Sequence, residues 1–192
     1  MFEKVKEAIS HFVFLTPKNL IQLASIAKLG SVKKKEHLIK VGDFNYNVVV
    51  VLKGLLRHYV VSENGEEKTL RFVPEKKIAA MMDTIFHKKP STENIMALED
   101  TVYLKFDFRE IDRLVSDNLQ LLKEQNQVFK DIISENVEQI KFLTVLTPEA
   151  RYLYFCQSYP NLEQRIKQKY LASYLGITVT SLSRIRARIS KS

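Results

Sequence analysis

The sequence has little of what marks several classes of protein. Its single cysteine, Cys156, cannot form a disulfide within one chain and cannot hold an iron–sulfur cluster there. No apolar run exceeds five residues, the length found at 48–52, so a membrane-spanning helix is excluded. The first residues carry charges at helical spacing and lack the apolar segment of a signal peptide. These absences predict a cytoplasmic chain with no membrane contact.

Motifs that carry chemistry are absent as well. There is no nucleophile elbow, phosphate-binding loop or paired acid/base arrangement, so we do not expect an enzyme. The four histidines (His11, His37, His58 and His87) show no metal-ligand spacing, so we expect no metal and no other cofactor. Haem ligation by His58 or His87 is the alternative to a surface or turn position. Cys156 falls in an apolar helix, where packing is favoured over reactivity.

Positive charge is concentrated near the end of the sequence. The net charge is +8 overall, and residues 147–192 hold eight Lys or Arg against two Glu, a local net charge of +6. Such a segment favours a polyanion as partner. A solvated basic tail is the alternative, so charge alone decides nothing.

The spacing of apolar residues changes near residue 31. Before it, Thr16-Pro17 supplies an N-cap and a first helical residue, and apolar side chains follow at helical spacing up to Gly30. After it, short β-branched runs are separated by turn signals at Gly42-Asp43, Gly54, Asn64-Gly65 and Lys89-Pro90. This pattern predicts an α+β protein whose N-terminal part is a double-stranded β-helix, a jelly-roll-like β-roll with flanking helices.

A long helix is predicted over residues 118–145, which contain no glycine or proline. It would be about 42 Å long, with Ser116-Asp117 as its cap. Its two apolar stripes need two partners, and we expect one of them to be a second copy of the chain. The alternative is a single helix packed within one subunit. The predicted dimer interface consists of Leu122, Asn126, Phe129, Ile133 and Ile140.

The last segment has the spacing of a helix-turn-helix. Residues 168–175 and 179–190 form two short amphipathic helices, and Gly176 supplies the turn between them. In the second helix, Thr180 and Arg184 fall opposite the apolar face, whereas the helical wheel places Val179 nearer the core edge. The chain is therefore predicted to divide into an N-terminal domain at 1–116, a dimerisation helix at 117–146 and a DNA-binding domain at 147–192.

The segment 168–186 resembles the recognition motif of the Crp/Fnr family of bacterial transcription regulators, and the likeness extends over about residues 12–189. It implies a helix-turn-helix of the winged-helix type, here lacking the final wing strand. It also implies base reading by Val179, Thr180 and Arg184. Where many members have an Arg–Glu pair, this chain has Val179 and Thr180, so a different operator is implied. The full predicted DNA-binding set is Gln168, Lys169, Thr178, Val179, Thr180, Ser181, Ser183, Arg184 and Arg188.

The resemblance further implies a cyclic-nucleotide-binding-like sensor domain. Members that bind cyclic nucleotides hold the ligand with a Glu in a turn and with an Arg ten residues later, which directly follows a proline. Aligning on Lys89-Pro90 puts Met81 at the Glu position and Ser91 at the Arg position, so the pocket is degenerate. Its predicted residues are Ala80, Met81, Met82, Ser91 and Thr92. We expect no cyclic AMP there; the pocket either takes a hydrophobic small-molecule effector or is packed shut.

The sequence thus predicts a homodimeric regulator of transcription that binds double-stranded DNA. Its two recognition helices would enter successive major grooves about 34 Å apart. The alternative is a ligand-sensing or protein-interaction module that has lost DNA binding.

Overall fold

The computed structural model describes residues 2–9 and 16–190, so His11 and Lys191 lie outside the described residues. The helices are α1 (Phe2–Ile9), α2 (Pro17–Ile26), α3 (Met82–His87), α4 (Phe108–Ser116), α5 (Leu119–Val145), α6 (Pro148–Ser158), α7 (Leu162–Arg165), α8 (Gln168–Tyr174) and α9 (Val179–Ile189). The strands are β1 (Lys28–Val32), β2 (His37–Ile39), β3 (Asn47–Lys53), β4 (Leu56–Val61), β5 (Glu67–Val73), β6 (Ile78–Ala79), β7 (Asn94–Ala97) and β8 (Thr101–Asp107). Within the described part, no helix combines the length and apolar character needed to cross a membrane.

The strands form two four-stranded sheets, in the orders β1-β8-β3-β6 and β2-β7-β4-β5. The paired strands β1–β8, β3–β8, β3–β6 and β2–β7 are antiparallel. Side chains from both sheets meet in one buried cluster that includes Val51, Leu56, Ile95 and Tyr103. Apolar residues can alternate between this core and the outer side because neighbouring residues of a strand point to opposite faces. The predicted α+β class with antiparallel sheets is confirmed.

A second cluster covers the outer side of the first sheet. Val5 and Ala8 of α1 and Leu20 of α2 pack there against Val50 and Leu104. Thr16 caps α2 as predicted, because its hydroxyl accepts a hydrogen bond from Asn19 N at 3.2 Å. The flanking helices therefore belong to the β-roll.

The predicted end of this helical segment at Gly30 is wrong. Helix α2 ends at Ile26, and Gly30 lies within β1, opposite Tyr103 of β8. A Cβ on Gly30 would overlap the Tyr103 ring. Gly30 therefore permits close packing rather than ending a helix. Pairing with β8, which is distant in sequence, overrides the local helical spacing.

The predicted cap of the long helix also needs correction. Ser116 is the last residue of α4, and Asp117 follows as its C-cap. The cap of α5 is instead Asn118, whose side chain accepts a hydrogen bond from Leu121 N at 3.1 Å. The sequence does not single out α3 and α4, because both are short; α3 lies between two strands, and α4 lies between β8 and α5.

The chain divides into two compact units that cut across the predicted domains. One contains residues 1–58 and 72–131, and the other contains residues 59–71 and 132–192. The second unit thus includes the tip of the β4–β5 hairpin and the C-terminal half of α5. The domain boundaries at 116/117 and 146/147 stay predictions.

Candidate nucleic-acid interface

Helices α8 and α9 form the predicted helix-turn-helix. The turn between them contains Gly176 at φ +68°, a left-handed conformation that glycine adopts cheaply. Thr178 caps α9, because its hydroxyl accepts a hydrogen bond from Ser181 N at 3.1 Å. Leu171 and Leu175 are buried together with Leu182 and Ile185 of α9. The apolar residues predicted to face inward therefore do so.

The predicted DNA-binding side chains lie mostly on the surface of the second unit. Of the nine, Ser181 is half-buried and the other eight are exposed: Gln168, Lys169, Thr178, Val179, Thr180, Ser183, Arg184 and Arg188. Val179 is 44% exposed, so the placement of this residue at the core edge by the helical wheel is wrong. It stands at the start of α9, where no turn precedes it to cover its side chain.

Two basic side chains of this surface contact neighbours. Arg188 Nη2 lies 2.8 Å from Glu149 Oε2, and Lys169 Nζ lies 4.9 Å from the centre of the Tyr170 ring. Arg184 makes no ion pair among the described residues. Its guanidinium can therefore meet a ligand without first breaking an ion pair.

Sequence analysis missed the contacts that hold the motif. Arg151 donates a hydrogen bond from Nη1 to the carbonyl oxygen of Leu175 at 2.5 Å, immediately before the Gly176 turn. Further along, Glu163 accepts hydrogen bonds from Tyr152 and Cys156 and forms an ion pair with Arg186. No pattern in the sequence indicates these pairs, because the partners are up to 24 residues apart.

The electrostatics around Cys156 agree with a packed thiol. Burial, and then the hydrogen bond to Glu163, raises the pKa of Cys156 to about 11. The pKa of Tyr152 is also raised, first by burial and then by Glu163. Because the thiolate is the reactive form, Cys156 is a poor nucleophile at neutral pH, as predicted.

The predicted effector positions come together inside the β-roll. Met81 and Ser91 are 4% and 2% exposed, and the Ser91 hydroxyl lies 2.9 Å from Met81 Sδ. It also donates to the carbonyl oxygen of Glu93 at 2.7 Å. Ala80 is buried too, whereas Met82 is half-buried. Thr92 is exposed, and its hydroxyl donates to Asp83. The two positions expected to hold a ligand thus contact each other.

The β-roll also buries two polar residues of β4. Arg57 is fully buried on β4, and beside it His58 is 2% exposed. His58 Nδ1 lies 3.2 Å from Glu93 Oε2, so the expected surface position of this histidine is wrong. His87 is exposed at the end of α3, as expected. The described residues contain no group of three or more His, Cys, Asp or Glu that could hold a metal ion.

Helix α5 carries the predicted dimer interface. Ile133 and Ile140 are each 62% exposed, and Leu122 and Asn126 are exposed as well. Phe129 differs, because it is half-buried against two aromatic rings of its own unit. Its ring centre lies 5.3 Å from that of Phe86 and 6.4 Å from that of Phe108.

Comparisons with known proteins agree with these features. A cyclic nucleotide-binding domain model matches residues 29–118. An anaerobic regulatory protein of Aggregatibacter actinomycetemcomitans is 24% identical over 174 residues, which cover 83% of this chain and 66% of that protein. The transcriptional activator protein Anr of Pseudomonas protegens is 26% identical over 186 residues, which cover 88% and 73%. The match thus spans about two thirds of the length of these relatives.

Solved structures show the same fold. The structure of FixK2 from Bradyrhizobium japonicum superposes with a TM-score of 0.73 at 15% identity, over 86% of this chain and 85% of that one. CooA from Carboxydothermus hydrogenoformans, solved as a double mutant, gives a TM-score of 0.69 at 20% identity over 97% and 84%. With its β-roll, long helix and helix-turn-helix, and with regulators among its relatives, the chain is similar to the Crp/Fnr family of transcription regulators.

Proposed function

We propose that this chain is a homodimeric regulator that reads a specific DNA sequence and binds no cyclic nucleotide. The observation that carries the proposal is the exposed face of α9. Thr180 and Arg184 are four residues apart, so they lie side by side along that face. Small hydroxyl side chains let a helix approach the groove closely, and a guanidinium can bind O6 and N7 of guanine together.

The surroundings of this face suit a phosphate backbone. The N-terminus of α9 offers unpaired N–H groups and a positive partial charge, next to the Thr178 hydroxyl. Lys169 of α8 adds a full charge. Such contacts fix the register of the protein on the duplex, whereas the base contacts give its specificity.

The two-fold arrangement rests on α5. Its stripe of exposed apolar residues needs a partner, and a second copy of the same helix supplies a matching stripe. Asn126 within the stripe would then fix the register of the pair. Two recognition helices related in this way read half-sites about 34 Å apart on a near-palindromic site.

The interior of the β-roll supports the absence of a cyclic nucleotide. A cyclic phosphate needs a charged partner, and guanidinium is well suited because it binds two phosphate oxygens at once. At the corresponding position, Ser91 instead contacts Met81. This contact favours a pocket that is packed shut over one that takes a hydrophobic effector. Isothermal titration with cyclic AMP should show no heat of binding, and a micromolar affinity would overturn this part of the proposal.

DNA reading can be tested by selecting bound duplexes from a random library with the wild-type protein. We call the duplex carrying the resulting consensus the selected duplex, and a permuted duplex of the same length the shuffled duplex. We expect a near-palindromic consensus and a steep negative dependence of affinity on salt. Arg184→Ala should weaken binding of the selected duplex, whereas Lys18→Ala on α2 is a control that should not. If no duplex binds at low salt, the chain is instead a sensing or interaction module without DNA binding.

A further inference from the structure

A compact polar cluster joins the recognition helix to the rest of its unit. At its centre is Glu163 of α7. Tyr152 of α6 donates a hydrogen bond from its hydroxyl to Glu163 Oε1 at 2.8 Å, and Cys156 Sγ lies 3.2 Å from Oε2. Arg186 of α9 places Nη2 2.7 Å from Oε1, and its guanidinium carbon lies 5.8 Å from the centre of the Tyr152 ring. One carboxylate thus binds groups from two other helices.

The chemistry of these partners keeps the carboxylate fully engaged. The pKa of Cys156, about 11, keeps its thiol protonated at neutral pH, so the thiol is a hydrogen-bond donor. The phenol of Tyr152 is also protonated there, because burial raises its pKa. Arg186 is always charged. Glu163 therefore receives three donors, one of which carries a full positive charge.

A second carboxylate–arginine pair, whose arginine also lies on α9, provides a contrast. Glu149 and Arg188 are 2.8 Å apart, but their side chains are 44% and 66% exposed. In the pair of Glu163 and Arg186 the values are 28% and 25%. Exposed pairs contribute little because water and salt screen them, whereas screening is weaker for a partly buried pair. Of these two ion pairs, the one between Glu163 and Arg186 is therefore the one that can help to hold α9 in place.

Arg186 lies on the side of α9 opposite its DNA-reading face. It follows Arg184 by two residues, which is about 200° around the helix. The side chain of Arg186 thus points away from the face that carries Thr180 and Arg184. A pull on Arg186 from Glu163 sets where that face points, and a small rotation would move the Arg184 guanidinium off a base edge.

We propose that Glu163 is a positioning residue for DNA reading, which orients the recognition helix through Arg186. The inference rests on the proposed function, since it concerns the same DNA-reading face. Arg186 is then a basic residue of α9 that binds another part of the protein, Glu163, and not the DNA. The group that controls the reading face is then a carboxylate outside the helix-turn-helix.

Removal of the Glu163 charge should change DNA affinity in the direction opposite to the one that net charge alone predicts. Removing a negative charge from this basic unit should strengthen its attraction for DNA phosphates. If Glu163 only contributed charge, Glu163→Gln would tighten binding of any duplex. If it positions α9, the same change weakens binding of the selected duplex.

The test compares Glu163→Gln with Glu149→Gln, which removes the same charge from the exposed pair. Fluorescence anisotropy is measured with the selected and the shuffled duplex over a range of salt. We expect Glu163→Gln to weaken binding of the selected duplex by about tenfold, the size of a single misread base pair. Its affinity for the shuffled duplex and its salt slope should not fall. Glu149→Gln should leave binding of the selected duplex unchanged or tighten it.

A second variant keeps the test independent of folding. Arg186→Gln removes the charge that pairs with Glu163, so it should also weaken binding of the selected duplex. Its salt slope should stay unchanged, because the removed charge contacts Glu163 and no phosphate. A circular-dichroism melt shows which variants fold at the assay temperature. If Glu163→Gln does not fold, binding of the selected duplex is measured instead with Arg186→Gln and with Tyr152→Phe, which removes one hydrogen-bond donor to Glu163.

The outcomes separate this inference from the proposed function. Tighter binding by Glu163→Gln, matching Glu149→Gln, overturns the inference and leaves the proposed function standing. The inference is also overturned if Arg186→Gln binds the selected duplex as tightly as the wild type. A salt slope of Arg186→Gln that drops by about one overturns it too, because such a drop would place Arg186 on a phosphate. If the wild-type protein binds no duplex, both fall together.

Discussion

Glutamates placed in the apolar stripe of α5 should separate the two subunits. Ile133 and Ile140 are the most exposed apolar members of the predicted dimer interface, at 62% each. Full burial of an isoleucine side chain is worth about 1.5–3 kcal/mol, so burying the exposed part of each one contributes about 1.5 kcal/mol. Two side chains from each subunit give about 6 kcal/mol in the dimer. The double variant Ile133→Glu/Ile140→Glu should lose all of this and add repulsion between carboxylates.

A loss of about 6 kcal/mol raises the dimer dissociation constant by about four orders of magnitude. Sedimentation equilibrium over a range of concentrations measures this constant directly. The matched control is Ser134→Glu/Lys141→Gln, which changes the charge by the same amount at the next exposed residue along the helix. If both double variants have the same dimer dissociation constant as the wild type, the stripe is not the dimer interface and α5 packs within a single subunit.

Three further changes test the reading face and the local structure. Arg184→Ala should weaken binding of the selected duplex by about 1–3 kcal/mol and relax the preference at one base position, as repeated selection with the variant would show. Gly176→Ala should lower the free energy of unfolding by about 1–2 kcal/mol, because a Cβ there would lie 2.9 Å from Arg151 Nη1 at a φ of +68°. At Gly65 nothing lies within 4 Å of such a Cβ. Gly65→Ala should therefore lower the free energy of unfolding by less, as a denaturant titration of both variants would show. Asp107 caps α4, because its carboxylate accepts a hydrogen bond from Arg109 N at 2.9 Å. The Arg109 side chain, then its backbone N–H, hold the pKa of Asp107 below its usual value. The contribution of this α4 cap, about 1 kcal/mol, should therefore be full above about pH 4 and be lost as the pH falls through the lowered value. Unfolding of Asp107→Asn followed against pH should lack that acid-dependent loss.

Local patterns were sufficient for many elements of the fold. Thr16 was predicted as a helix cap because a hydroxyl before a first-turn proline fits one local geometry. The Gly176 turn was predicted because a left-handed residue there favours glycine. The predicted helices at 168–175 and 179–190 end within a residue of α8 and α9. In each case the deciding interactions lie within a few residues of one another.

Other features depended on partners that are distant in sequence. Gly30 reads locally as the end of a helix, yet it lies in β1 because it pairs with Tyr103 of β8. His58 has no local feature that separates it from a surface histidine, and only the sheet brings it to Glu93. The side chain of Phe129 fits a heptad pattern, but it also packs on Phe86 and Phe108.

The sequence by itself determined the order of β-roll, long helix and helix-turn-helix, the basic character of residues 147–192 and the face of α9 that carries Thr180 and Arg184. These follow from helical and strand periodicity and from charge, which are properties of neighbouring residues. Tertiary structure decided that Met81 contacts Ser91 and that Glu163 holds Arg186. Such contacts join residues 10 or more positions apart. They depend on how whole elements pack, and no local spacing contains that information.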